Sequence, residues 1–139
     1  MSNTQKQSIL LVDADPVNQA SVKDSLKELD LLVIVAESTE DVSDLVLLYD
    51  FALILFGVDP ENLSPFETAI ALNDNEKTWY VPIIFQAKSE HIAALHEQGY
   101  AAGGVDFLHK PSKPTVLLAK VKVFLELDAR QQQLAFATA

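Results

Sequence analysis

Apolar residues in this chain fall into short unbroken runs separated by stretches with helical spacing. Phe51-Ala-Leu-Ile-Leu-Phe56 contains no polar position. Both faces of such a segment would be dry when extended, as in a central strand covered by helices on both sides. Gly57 and Pro60 end it. Four other runs read as strands: Ser8 to Val12 leading into Asp13, Leu31 to Ala36, Trp79 to Phe85, and Val105 to Leu108. Pro82 is placed near the start of its run, where a missing N–H is tolerated.

The intervening stretches read as helices. Pro16 behind a capping Asp15 opens the first, with Val17, Ala20, Val22, Leu26 and Leu29 as its apolar stripe. Ser38 or Thr39 caps the second, with Val42, Leu45, Val46 and Leu48 on its apolar side. A turn-rich loop from Asp59 to Pro65 leads to a short third helix over Phe66 to Leu72. Ser89 caps the fourth, which carries Ile92, Ala93, Leu95 and His96 and ends at Gly99. The fifth runs from Pro114 to about Leu134 on Val116, Leu117, Val121, Phe124, Leu125 and Leu127. Five strands alternating with five helices predict an α/β sandwich with a parallel sheet, in one domain over residues 8–128. Residues 1–7 are expected to form a disordered tail. Residues 129–139 are expected to form a helical extension, leading to a linker or a dimerising helix.

Charge narrows the partners. Ten Lys and Arg against twenty Asp and Glu give a net charge of −10 over 139 residues, which repels phosphate backbones and anionic membranes. The excess serves solubility or a basic partner surface. With no cysteine there is neither a disulfide nor thiolate chemistry, and zinc would depend on three scattered histidines. The polar start Met1 to Gln7 is not a signal peptide, and no apolar run approaches the roughly 18 residues of a membrane span. A cytoplasmic protein is expected.

Three segments then acquire a common meaning: Ile9-Leu-Leu-Val-Asp-Ala-Asp-Pro16, Val81-Pro-Ile-Ile-Phe85 and Gly104-Val-Asp-Phe-Leu-His-Lys-Pro111, followed by the helix that includes Leu117 to Val121. Together they resemble the receiver domain of bacterial two-component response regulators, over roughly Ser8 to Leu127. The resemblance implies a flavodoxin-like sheet of order 2-1-3-4-5. It also implies a switch in which a histidine kinase phosphorylates an aspartate at the end of the third strand. Mg²⁺ would be held by acidic residues after the first strand, because an aspartyl nucleophile needs a dication to neutralise the incoming charge. A lysine after the fifth strand and a Ser or Thr after the fourth would pair with the phosphoryl oxygens.

Carried over by position, the resemblance finds a degenerate pocket. Asp13 matches the first acidic position, Ala14 replaces the second, Phe56 stands at the acceptor position, Ala87 at the Ser/Thr position, and Lys110 is retained. Asp15 reads as a helix cap that could partly replace the missing ligand, so Mg²⁺ binding at Asp13 and Asp15 is expected to be weak or absent, and no other cofactor is implied. Lys110 is expected to pair with Asp13 or Asp15. The Phe56 ring is expected at the cleft mouth, filling the space left by metal and phosphate.

No catalytic set assembles elsewhere. His91 and His96 are five apart, not the four of a helical metal pair. All three histidines read as surface residues, and the serines lack a paired base. The expected function is therefore a pseudo-receiver, not an enzyme, that acts through protein–protein contact on the fourth helix, fifth strand and fifth helix. Phe107, His91 and Leu95 are its expected switch and interaction residues. Candidate partners are a histidine kinase, an effector domain in the same chain, or a second copy paired through the last helix. Two alternatives keep the fold: a phospho-switch using Asp59 or Asp13, and a sensor of a small molecule in the modified cleft.

Overall fold

The computed structural model describes residues 6–138, with side chains described as far as Ala135. Five parallel strands, β1 (Gln7–Val12), β2 (Leu31–Ala36), β3 (Phe51–Gly57), β4 (Ile83–Ala87) and β5 (Asp106–His109), form one sheet of order β2-β1-β3-β4-β5. The helices α1 (Pro16–Ser25), α2 (Val42–Leu48), α3 (Ser64–Asn73), α4 (Ser89–Ala101) and α5 (Pro114–Thr138) connect and cover it. This is the flavodoxin-like arrangement expected from the sequence.

Strand alternation divides the core into two layers. On one face Ile9, Leu11, Leu53, Leu55, Ile84 and Leu108 meet Val22 and Leu26 of α1 and Leu117 and Val121 of α5. On the other, Leu10, Val12, Ile54, Phe56 and Phe85 meet Val42, Phe66, Ala69 and Leu95. The six apolar residues at the start of β3 are all buried, which accounts for its unbroken hydrophobic run.

Several local expectations change. Of the tail expected over residues 1–7, Gln7 already lies in β1, and residues 1–5 fall outside the described residues. The stripe of α1 begins at buried Asn18 and continues through Val22 and Leu26, leaving Val17 73% exposed. Asp15 caps α1 by accepting from the Val17 N–H at 3.0 Å, and that cap sets this rotation. β4 starts at Ile83 because residues 76–81 form turns, with Trp79 and Tyr80 exposed. Ser89 is the first residue of α4, and its cap position, Lys88, supplies no side-chain bond. Gly99 lies inside α4; Gly103, at φ +103°, follows the helix end in the left-handed conformation that favours glycine. α5 continues past the compact unit to Thr138.

Candidate functional site

The carboxyl ends of β1, β3, β4 and β5 converge on one small polar cluster. Asp13, directly after β1, is anchored by its N–H to the Ala36 carbonyl at 2.9 Å. Lys110, directly after β5, is anchored by its N–H to the Ala87 carbonyl at 2.9 Å. Their side chains meet across the strand ends. Lys110 Nζ lies 2.8 Å from Asp13 Oδ2 and 3.1 Å from Oδ1, with 15% and 6% of the two side chains exposed. Asp15 Oδ2 stands farther off, 3.9 Å from the ammonium. The expected pairing of Lys110 with Asp13 is the arrangement found.

The Asp13 carboxylate has other partners. It accepts from the Asp15 N–H at 3.0 Å and from Asn18 Nδ2 at 2.8 Å. Asn18 Nδ2 also donates to Gln86 Oε1 at 3.1 Å, and Gln86 Nε2 donates to Ser112 Oγ at 3.1 Å. Ser112 in turn donates to the His109 carbonyl. Asn18, Gln86 and Ser112 are buried, so a continuous chain of side-chain bonds runs from α1 through β4 to the loop before α5. Such a network restricts movement while its members stay paired.

Two residues assigned to this pocket from sequence are not in it. Phe56 is 0% exposed and points into the opposite core layer, stacked on Phe85 at 5.8 Å. Ala87 belongs to that same layer. The reason is strand alternation: Phe56 pairs with Phe85 and Gly57 with Gln86, so Gly57 and Gln86 face the cleft. A Cβ built on Gly57 would lie 2.5 Å from Asp13 Oδ2, so the Asp13 carboxylate occupies the space a β3 side chain would need. The ring expected at the cleft mouth is therefore a core residue, and glycine is what β3 presents there.

Gly57, Gln86, Asn18 and Ser112 were not singled out from sequence. A lone glutamine in an otherwise apolar buried strand was the readable signal for Gln86, since a buried amide needs partners. Asn18, four residues before Val22 on the same helix face, was the signal for the rest.

A phosphoryl-binding pocket would also require a metal, and the donor set here does not suit one. Mg²⁺ prefers a near-octahedral set of hard oxygens. Ala14 offers no side-chain ligand, Asp15 caps α1, and both Asp13 oxygens are engaged by an ammonium and N–H donors. Among the described residues no group of three or more His, Cys, Asp or Glu is arranged to hold a metal ion. Asp59, the other carboxylate considered as an acceptor, is exposed and accepts from the Glu61 and Asn62 N–H groups, which ties it to its own turn. The cavity at this end, lined by Asp13, Gly57, Asp59, Asn62 and Lys110 among others, measures about 110 Å³. Drug-sized ligands occupy roughly 300–1,000 Å³.

The expected switch residues are mostly inward. Leu95 is 4% exposed, so it is a core residue and not part of a docking face. His91 is half-buried, whereas His96 is exposed with its ring 5.6 Å from that of Tyr100. Phe107 packs between Phe85 (5.5 Å between rings) and Tyr100 (5.9 Å). Its seat exists because residue 99 is glycine: a Cβ there would lie 2.2 Å from the Phe107 ring. The exposed His109 ring, beside Lys110, is 2.7 Å from Ser89 Oγ through Nδ1.

No protein-family model matches the sequence, and no curated protein matches it significantly. Solved structures do match. A response regulator of Chloroflexus aurantiacus, described as putative, superimposes with TM-score 0.78 at 22% identity, over 88% of this chain and 99% of that one. The fold is that of receiver domains. The receiver domain of a sensor histidine kinase of Pseudomonas aeruginosa, solved with magnesium coordinated in its active-site cleft, gives TM-score 0.76 at 24% identity over 88% and 99%. The signal receiver domain of an HD-domain-containing protein of Pseudomonas fluorescens gives 0.79 at 15% identity over 96% of both chains. On this receiver fold, the polar cluster lies where ligands of open parallel sheets bind, beyond the carboxyl ends of the central strands.

Proposed function

We propose that this chain is a receiver-fold signalling module of the two-component type that does not take up a phosphoryl group and works by binding a protein partner. One observation carries the reading: β3 ends in Gly57, and the Asp13 carboxylate fills the adjacent space in an ion pair with Lys110. Phosphoryl transfer to carboxylate needs an oriented nucleophile and neutralised charge. Here the Asp13 carboxylate is held by an ammonium and two N–H donors, Asp15 and Asp59 are tied to the helix cap and turn they serve, and no group of three or more His, Cys, Asp or Glu is arranged for a metal among the described residues.

The likeness to receivers from a sensor kinase and a response regulator supports a place in phosphorelay-type signalling, with a kinase or an effector as partner. Without phosphorylation to bias it, the conformation with Phe107 seated is held by packing against Phe85 and Tyr100, so the module acts as a constitutive binding surface. Among the described residues no helix is long and apolar enough to cross a membrane, and we place the protein in the cytoplasm.

The test is intact-protein mass after incubation with Mg²⁺ and a small acyl-phosphate donor, with a receiver that carries an acceptor aspartate as positive control. The mass is expected to stay unchanged while the control gains one phosphoryl group. A stoichiometric adduct on Asp13 or Asp59 would overturn the reading.

A further inference from the structure

The acidic charge of the chain is concentrated in one segment. Residues 37–78 carry ten Asp and Glu and one lysine, Lys77, leaving ten acidic and nine basic residues elsewhere. Nine of the ten net negative charges therefore belong to α2, β3, α3 and their loops. Glu40, Asp41, Asp44, Glu67, Asp74 and Glu76 are exposed, and no salt bridge involves any of them among the described residues.

Between α2 and α3 this acidic surface opens into an apolar groove of about 460 Å³. Val42 and Leu72, both buried, contribute to its lining with Val46 and Ala71; Leu47, 68% exposed, stands on the α2 side and Glu67 on the α3 side. A second cavity of about 310 Å³ shares Val46, Leu47, Lys77 and Thr78 with the first and reaches Tyr49 and Tyr80. Leu48 and Trp79, adjacent in sequence to these lining residues, are exposed as well. A solvated helix pair has no use for this much uncovered leucine and aromatic surface.

We infer that the α2–α3 groove is the docking site for a basic amphipathic helix of a partner protein, whose apolar stripe enters the groove and whose Lys or Arg residues meet the carboxylate rim. The groove lies between two helices and no residue of either edge strand lines it, so side chains make the contact and strand addition does not. A second copy is a poor occupant, because a two-fold contact would set one acidic rim against the same rim. This inference goes beyond the preceding reading, and it can fail while the protein still refuses a phosphoryl group.

The probe is a synthetic amphipathic helix of leucine and lysine, with a peptide of the same composition scrambled to destroy the apolar stripe as control. Amide NMR shifts locate the site, and the fluorescence of Trp79, the only tryptophan, follows the titration. Binding is expected to shift residues of α2 and α3 and to weaken with salt. Leu47→Asp, and separately Asp44→Lys with Glu67→Lys, should each weaken it about tenfold or more, as expected for loss of a buried leucine or of charge complementarity. The equal charge reversal Glu90→Lys with Glu97→Lys on α4 should change it less than about threefold, since screened charges act over only about 10 Å. All these positions are exposed, and melting curves verify that each variant folds. Equal binding of the scrambled peptide, equal loss in the α4 reversal, or shifts that leave α2, α3 and the turn over residues 74–80 unchanged would overturn the inference. So would a dimer of the free protein that Leu47→Asp dissolves, which would assign the groove to a second copy.

Discussion

Replacing Phe56 separates the two positions its ring could occupy. In the core layer the ring is 0% exposed and stacks on Phe85, which itself meets Phe66 edge-on at 4.9 Å. Truncating a buried phenylalanine to alanine costs about 3–5 kcal/mol, from lost transfer energy and the cavity left behind. For a chain of this length that is a fall in Tm of roughly 10–20 °C. Phe56→Asp costs more, because a carboxylate without a partner is added to the same apolar layer and buried unpaired charge is penalised by several kcal/mol. Total stability of such domains is about 5–15 kcal/mol, so the aspartate variant should be largely unfolded or need its carboxyl protonated to fold. Urea unfolding followed by circular dichroism, with the m-value compared to confirm two-state behaviour, gives the alanine number. Intact mass after acyl-phosphate treatment shows whether the aspartate variant is modified. If Phe56→Asp folds with a Tm within a few degrees of the natural protein and gains a phosphoryl group, the ring lies at the cleft mouth and the reasoning fails.

Four further substitutions test the polar cluster and two glycine-dependent packing contacts. Asp13→Ala leaves the mostly buried Lys110 ammonium without its nearest counter-charge and should cost about 3–5 kcal/mol in urea unfolding. Adding Lys110→Met should recover a large part of that loss, which a double-mutant cycle measures. Gly103→Ala should destabilise by more than about 1 kcal/mol in thermal melts, since alanine is strained at φ +103°. Its Cβ would also lie 1.6 Å from the Asn73 amide, which bonds the Ala102 carbonyl. Gly99→Ala should push Phe107 from its seat, at a cost of about 1–3 kcal/mol. Loss of NMR contacts between the rings of residues 85 and 107 checks it, and unchanged contacts would show that the seat does not depend on Gly99.

Element order was legible because strand runs such as Phe51 to Phe56 have no solvent face and helices such as α5 have a plain stripe; the strand order came from the resemblance to receiver domains. The retained Asp13 and Lys110 were legible as a pair because each follows its strand directly. Side-chain direction at the strand ends was harder. The resemblance put Phe56 and Ala87 in the pocket, but alternation along a strand turns both side chains into the core layer opposite Asp13 and Lys110, leaving Gly57 and Gln86 on the side of the cluster. Leu95 misled for a related reason: a helix face that packs on the sheet and one that greets a partner show the same apolar spacing.

The missing Cβ at Gly57 makes this cleft a one-way step for sequence change. Gly57→Asp alone would bring a second carboxylate against the first at one lysine, and Asp13 would have to leave a rotamer held by Lys110, Asn18 and the Asp15 N–H. Removing Asp13 first strands the lysine instead. Ala14→Asp alone adds a carboxylate with no open partner to share a metal. The steps at Gly57 and Asp13 thus pass through a protein less stable than this one, whereas substitutions at exposed positions of the α2–α3 surface meet no such barrier. Sequence drift from this point is expected to alter the α2–α3 surface before it builds a cleft able to take a phosphoryl group.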